Sequence, residues 1–400
     1  MRTFLSKLMF VVMLQAVWGV AATECLAARK AVVVVPVVDL LAYSLGEGCK
    51  TAAEVKDKYS KVRPSWDKSK DECCRVHQLL FNEVVDVVGE EGFELKVALK
   101  NAYYEPSNDC HYLWALKEHF VYLDEVDLEG IPAPINYSKG EQLHTDAVVT
   151  LKMPLFDVVT NRYYSVGTRF CCLGIKQGHA KVVLRNGKTS NLVRIYIPLQ
   201  YCFVDSAKMS HTDRINSFVS VLHSWVLDKK HSTDAVPYVW GGISFCFKQK
   251  IANCKNINRK KDRKEDCYTG FDASGYILRV AQICGLPYFF KNSTTAAANL
   301  RPLRADEKPG NGDIIAVKDF IAVINDAYHN KIVRAAGIGS GYGCVVENNL
   351  NEVFLGIKTY QELKARTEAG EPITCIGKKG EVRAVLNGLK IYAIRSLWEQ

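Results

Sequence analysis

The chain has 400 residues, of which 48% are hydrophobic and 24% charged, and its formal net charge is +9. This length and apolar content are sufficient for two or three domains, each with a buried core. The positive charge would suit anionic polymers or surfaces. The basic segment 243–269 has no aromatic side chains interleaved among its charges, which argues against a nucleic acid partner.

The first residues have the pattern of a secretory signal peptide, which we place at residues 1–22. Two basic residues precede the apolar core from Leu8 to Val20, and small residues follow, so we predict cleavage near Ala22. The core is too short for a comfortable membrane span, and no later segment reaches that length. We therefore expect an exported protein in the periplasm, the cell envelope or the extracellular space. Cys25 leaves a lipid anchor as an alternative.

Fourteen cysteines in an exported chain favour buried thiols with a few disulfides. The adjacent pairs Cys73–Cys74 and Cys171–Cys172 cannot each bridge internally, because neighbouring residues on a strand point to opposite faces. No Cys-x-x-Cys occurs and no histidine stands at ligand spacing from the cysteines of the 243–269 segment. We therefore expect no metal site.

Residues 30–130 are predicted to form a small β-barrel. A strand, a turn and a second strand are predicted over 75–88, followed by alternating or apolar segments at 94–99 and 112–123. The pattern resembles the bacterial Src-homology-3-like barrels. A second barrel of the same kind is predicted over 140–205, with strands at 147–151, 169–173, 181–184 and 193–197 and an Asn-Gly hairpin turn at 186–187.

A helix followed by an antiparallel sheet is predicted from residue 207 onward. Ser210 or Thr212 can cap a helix whose apolar residues recur at helical spacing up to Val226. The segment Tyr-Val-Trp-Gly-Gly follows at 238–242, and Gly-Phe-Asp-Ala-Ser-Gly begins a second helix at 270–275. Gly-Asp then precedes apolar strands at 314–317, 320–324 and 332–336, with a closing strand within 389–397.

These motifs together resemble the NlpC-type cysteine peptidases of bacterial cell-wall turnover. That family combines Tyr-x-Trp-Gly-Gly, Asp-Cys-Ser-Gly at a helix start and Gly-Asp before an apolar strand. The resemblance implies an α+β fold: a papain-like NlpC-type domain at 207–400, with helices packed on an antiparallel sheet, preceded by the two barrels. It also implies hydrolysis of γ-D-glutamyl to diamino acid bonds in murein stem peptides, through an acyl-enzyme thioester and without a cofactor.

The position of the catalytic cysteine is occupied by Ala273. A thiolate in the first turn of a helix is stabilised by the helix dipole and can attack an amide, whereas alanine has no nucleophile. Alignment on the following strands places the catalytic base at Phe320 and the third catalytic residue at Arg334. We therefore predict a protein that does not hydrolyse peptides. Ser274 is a poor replacement nucleophile, because it points about 100° away around the helix.

The resemblance assigns substrate binding to four residues that this sequence retains or could use: Tyr238, Trp240, Asp272 and Ser274. In the family, the tyrosine hydroxyl and the aspartate grip a free amine on the peptide. Asp272 could instead serve only as a helix N-cap, and we expect Trp240 to pack in the core rather than on a ligand.

Three hypotheses follow from these residues. The first is an inactive peptidase homologue that binds peptidoglycan stem peptides as a monomer. The second is an active cell-wall endopeptidase in which Ala273 is an engineered or aberrant replacement. The third is a structural envelope protein with a vestigial cleft. The first and third differ in whether Tyr238 and Asp272 face an open groove or are covered by neighbouring side chains.

Overall fold

The computed structural model describes residues 29–62, 74–99, 102, 112–135, 148–185, 191–204, 208–226, 234–247, 249–253, 256–257 and 267–399. The predicted signal peptide, the Asn-Gly turn at 186–187 and most of the basic segment lie outside these ranges. Within them, the apolar stretch that a helix needs to cross a bilayer is not found.

The first sheet has seven antiparallel strands in the order β3-β2-β6-β5-β4-β1-β7. The strand, turn and strand predicted at 75–88 are confirmed, and Asn82 takes a left-handed φ of 69° in the turn. The strands are β1 Arg29–Val33, β2 Val37–Leu41, β3 Arg75–Leu80, β4 Val84–Glu91, β5 Glu94–Ala98, β6 Leu113–Leu116 and β7 Phe120–Tyr122. A helix that we did not predict, α1 Ala52–Ser60, follows β2.

The second sheet has five antiparallel strands in the order β13-β12-β11-β8-β14. All four predicted strands are present, and a small hairpin formed by β9 and β10 accompanies them. The bounds are β8 Val148–Leu151, β9 Leu155–Asp157, β10 Arg162–Tyr164, β11 Arg169–Lys176, β12 His179–Arg185, β13 Leu192–Pro198 and β14 Cys202–Val204. Both sheets have two edge strands in the described part of the chain, so their assignment to closed barrels stays a prediction.

The remainder of the chain combines helices with an antiparallel sheet, as predicted. The helices are α2 His211–Ser224, α3 Ala273–Ile283, α4 Ser293–Asn299 and α5 Tyr360–Glu368. Short strands form three small sheets: β15 Asp234–Ala235 with β17 Gln249–Asn253 and β18 Asn256–Ile257; β16 Ile243–Ser244 with β19 Gly270–Phe271; and β24 Ile373–Ile376 with β25 Val382–Leu386. The main sheet has the order β23-β22-β21-β20-β26, from β20 Ile314–Val317, β21 Phe320–Asp326, β22 Lys331–Ala336, β23 Cys344–Asn349 and β26 Lys390–Tyr392.

The two faces of this main sheet pack on different helices. Val323 and Val333, which lie opposite each other on β21 and β22, belong to the core that includes α3. Ile324 and Ile332, the next pair, belong to a second core that includes Tyr360 of α5. Because side chains alternate along a strand, residues 320–324 of β21 and 332–335 of β22 can be assigned to one face or the other.

Candidate functional site

The Tyr-Val-Trp-Gly-Gly segment makes a tight turn whose shape requires glycine. Gly241 has a φ of +67°, and a Cβ there would lie 2.5 Å from the backbone oxygen of Arg75 on β3. The backbone N–H of Gly242 donates to the oxygen of Val239 at 2.9 Å and closes the turn. The turn is therefore pressed against the first sheet, and a side chain at Gly241 would separate them.

The two motifs, thirty residues apart in sequence, are joined through their backbones. Phe271 N–H donates to the oxygen of Pro237, and Asp272 N–H donates to the oxygen of Gly242, both at 3.0 Å. A Cβ on Gly275 would lie only 2.3 Å from that same Gly242 oxygen. The glycines thus allow the turn to lie directly against the beginning of α3.

Asp272 caps α3, as one of the two sequence interpretations predicted. Its Oδ1 accepts hydrogen bonds from the backbone N–H of Gly275 at 2.5 Å and from the hydroxyl of Ser274 at 3.2 Å. Its Oδ2 accepts a hydrogen bond from the ammonium of Lys291 at 2.6 Å. The Lys291 and Asp272 side chains are 4% and 12% exposed. Both oxygens of the cap are therefore engaged within the protein.

Tyr238 lies beside this buried ion pair. Its backbone N–H donates to the oxygen of Gly343 at 2.8 Å, and the ring would contact a Cβ on Gly337 at 3.6 to 3.8 Å. Burial raises the pKa of the phenol, and the negative charge of Asp272 raises it further. The hydroxyl is therefore protonated at neutral pH and able to donate a hydrogen bond.

Comparison with known proteins supports the fold but not a family assignment by sequence. No protein-family model and no curated protein matches the chain. The crystal structure of an NlpC/p60 family protein from Bacillus cereus is similar, with a TM-score of 0.50, 14% identity, and coverage of 80% of this chain and 94% of that one. The chain has an NlpC/p60-like fold.

Two further solved structures, NlpC2 and NlpC1 from Trichomonas vaginalis, are more distant matches. NlpC2 has a TM-score of 0.28 and 10% identity over 81% of this chain and 93% of its own. NlpC1 has a TM-score of 0.28 and 11% identity over 83% of this chain and 91% of its own. At this level of similarity they add nothing to the assignment of the fold.

The structure separates the three positions that the alignment assigned to catalysis. Ala273, in the first turn of α3, packs against the core on the α3 side of the main sheet. Phe320 belongs to the opposite core, where its ring centroid lies 5.5 Å from that of Phe354. Arg334 alternates with two residues of the α3 side, and its guanidinium lies 5.9 Å from the Phe320 ring. Phe320 and Arg334 are thus neighbours on the face that points away from α3.

Trp240 is not a core residue of this NlpC/p60-like fold, contrary to our expectation. Its side chain is 38% exposed, whereas the neighbouring Val239 is completely buried. Val239 therefore takes the inward position of the turn, and Trp240 is exposed. The Trp240 carbonyl accepts a hydrogen bond from Arg75 at 3.2 Å.

Buried polar contacts join the first sheet to the part of the chain after residue 234. The sequence did not indicate these contacts. The amide of Gln78 accepts hydrogen bonds from Ile243 N–H and the Ser244 hydroxyl, and donates to the oxygen of Tyr268. Arg279 of α3 pairs with Glu83 at 2.8 Å. These contacts join residues more than 160 positions apart, so no local pattern in the sequence could reveal them.

His77 is a second buried residue that the sequence did not single out. Burial holds its pKa well below the ordinary value, and the positive charges of Lys291 and Arg279 lower it further. Neither ring nitrogen has a hydrogen-bond partner among the described residues. His77 is therefore neutral at physiological pH. His329 lies in a turn against Asp326, and its side chain is 62% exposed at the surface.

Proposed function

We propose that this protein is an exported, catalytically inactive homologue of the NlpC-type peptidases. Its organisation would be a signal peptide at 1–22, Src-homology-3-like barrels at 30–130 and 140–205, and a papain-like domain at 207–400. The NlpC/p60-like fold supports the last of these domains. Ala273 supports the loss of hydrolysis, because the first turn of α3 carries no thiol where the family has its nucleophile.

The ion pair between Lys291 and Asp272 is the observation that carries the proposed role of the cleft. Asp272 is the carboxylate that the resemblance assigns to the free amine of a stem peptide. In this protein an internal ammonium lies 2.6 Å from it. Removing Lys291 from Asp272 would leave a buried charge without its partner, which is strongly unfavourable. We infer that Lys291 closes the amine site, so that the cleft is a structural element of an envelope protein.

A peptide-binding role is the second candidate, and two observations favour it. Tyr238 is only half-buried beside Asp272, and Trp240, two residues later in the same turn, is 38% exposed. A stem peptide whose amine displaced Lys291 would lie beside the Tyr238 hydroxyl. This role differs from the first in one respect: it requires Asp272 to exchange an internal ammonium for that of the ligand.

Calorimetry with the tripeptide L-alanyl-γ-D-glutamyl-diaminopimelate tests both candidates, followed by mass analysis of the same mixture. The closed-cleft role predicts no heat and intact peptide for the wild type. Lys291→Met, which frees the carboxylate while keeping a side chain of similar length, should gain binding, whereas the exposed Lys318→Met should not. If the wild type releases or absorbs heat on mixing with the tripeptide, and Asp272→Ala abolishes this heat, the cleft binds peptide. The closed-cleft role would then be wrong. Released product would refute inactivity.

A further inference from the structure

Arg334 is a buried guanidinium without an anionic partner in the described part of the chain. Its side chain lies on β22, and the residue is 6% exposed. Burial lowers its pKa. Its Nε and one terminal nitrogen, Nη2, have no hydrogen-bond acceptor among the described residues. A buried charge that is neither paired nor hydrogen-bonded costs several kcal/mol, so such a group in a folded protein calls for an explanation.

Aromatic rings account for only part of the stabilisation of this charge. The guanidinium lies 5.9 Å from the ring centroid of Phe320 and 5.6 Å from that of Tyr342. Cation–π contacts of this kind stabilise the charge but give the N–H groups no oxygen to bind. The nearby thiol of Cys375 is kept neutral, because burial raises its pKa. The N–H groups of Arg334 therefore still require an acceptor.

A second cation lies near the ring of Tyr342. Lys378 is exposed at the surface, and its ammonium lies 5.7 Å from the ring centroid of Tyr342. Its backbone N–H donates to the oxygen of Ser340 at 3.0 Å. A Cβ on Gly341, whose φ is +84°, would lie 3.1 Å from the Cβ of Lys378. The glycine-rich segment 337–343 thus holds Lys378 close to the Tyr342 ring, which Arg334 also approaches.

We propose that Arg334 and Lys378 form a binding site for a small oxyanion beside Tyr342. The planar guanidinium presents parallel N–H groups that match the two oxygens of a carboxylate or a phosphate group. Lys378 adds a positive charge at the solvent side, where such an anion would enter. The site uses neither Asp272 nor Ala273 and therefore goes beyond the proposed function of the cleft. A carboxylate ligand and a phosphate ligand share this chemistry.

The site can be tested by thermal denaturation of the full chain. Inorganic phosphate or sodium acetate is added, and chloride keeps the ionic strength constant. The midpoint of the wild type should rise with one or both anions, because a ligand that binds the folded state stabilises it. Arg334→Met should abolish the response. The exposed Lys379→Met, next to the site, should retain it. A response to phosphate alone identifies a phosphate ligand, and a response to acetate alone identifies a carboxylate ligand.

Lys378→Met provides a variant whose exposed position leaves folding intact. It should weaken the apparent affinity for the anion by about tenfold, the effect expected for one charge-assisted contact. The proposal is wrong if the wild type responds to neither anion, or if Arg334→Met responds as the wild type does. If Arg334→Met does not fold, an affinity unchanged in Lys378→Met would refute the site by itself.

Discussion

The ammonium of Lys291 lies 2.6 Å from Oδ2 of Asp272, at the point where α3 begins. The other oxygen of Asp272 caps the helix by accepting the N–H of Gly275. One carboxylate thus joins the segment before α4 to the first turn of α3. Because both partners are almost completely buried, the pair is screened little by solvent.

Lys291→Met should destabilise the protein by about 3 to 5 kcal/mol, because it leaves the carboxylate of Asp272 buried without its counter-charge. Asp272→Asn keeps a good N-cap but leaves the Lys291 ammonium buried without a counter-charge. It should lower the free energy of unfolding by a similar amount. The double variant should lose clearly less than the sum of the two single changes. Urea denaturation gives all three values, with the exposed Lys318→Met as control. Additive losses would show that the pair is not coupled.

Ala273→Cys should place a thiol at the start of α3 without restoring hydrolysis. The double variant Ala273→Cys with Phe320→His should also be inactive, because Phe320 packs against Phe354 on the face of the main sheet that points away from α3. Mass analysis of the tripeptide after incubation with each variant measures cleavage. Alkylation of the new thiol shows that it is accessible. Turnover by the double variant would mean that Phe320 faces the nucleophile position after all.

Local signals in the sequence predicted more of this fold than we used. Ser210 was one of two candidates for the N-cap of α2, the other being Thr212, and the Ser210 hydroxyl accepts the N–H of Asp213. Three helices were not predicted: α1, α4 and α5. In α1 and α5 few residues are apolar, so the helical periodicity is weak. Both are nevertheless preceded by Thr-x-x-Glu, and Thr51 and Thr359 each accept the N–H of the glutamate three residues later. That capping signal would have located them.

Contacts between distant segments lay beyond any sequence pattern. Gln78 and Ile243 are 165 residues apart, and their hydrogen bond depends on how the first sheet docks on the rest of the chain. Lys291 is different, since it follows Tyr288, Phe289 and Phe290 directly in the sequence. A lone lysine after an aromatic run is a weak sign of a buried cation. Its partner Asp272 could be identified only from the tertiary structure.

Gly275→Ala should destabilise the protein by about 1 to 3 kcal/mol, although alanine favours helices over glycine. The new Cβ would lie 2.3 Å from the Gly242 oxygen and 2.8 Å from Oδ1 of Asp272. Gly339→Ala is the matched control, since a Cβ there has no neighbour within 4 Å and the stability should be unchanged. Thermal denaturation compares the two variants. Equal stability would show that the contact between the turn and α3 can widen at no cost.

Gln78→Met should cost roughly 3 kcal/mol, because its hydrogen-bond partners would remain buried without a replacement. Methionine preserves the volume, so the loss reports the polar contact rather than a cavity. Those partners come from both the first sheet and the region after residue 234: Asp39, Ile243, Ser244 and Tyr268. Urea denaturation measures the loss, with the exposed Gln200→Met as control. An unchanged midpoint would mean that this polar contact adds little to stability.

Asp313 should make stability depend on pH in a direction unusual for a carboxylate. Its oxygens accept the N–H groups of Gly310 at 2.8 Å and Ile394 at 3.0 Å. Burial is the larger effect and raises the pKa to about 6. The folded state therefore holds a proton at pH values where the unfolded state has released it, so stability falls as pH rises from about 4 to about 6.

Comparison with Asp313→Asn isolates this dependence, because asparagine does not titrate. The variant loses stability at every pH, since its amide NH₂ would face a backbone N–H donor. The difference between wild type and variant should nevertheless shrink by roughly 3 kcal/mol between pH 4 and pH 7. Urea denaturation at each pH measures this difference in the free energy of unfolding. The exposed Asp306→Asn is the control, and its stability should change with pH as that of the wild type does. A difference that grows with pH would mean that hydrogen bonding outweighs burial at Asp313 and holds the pKa low.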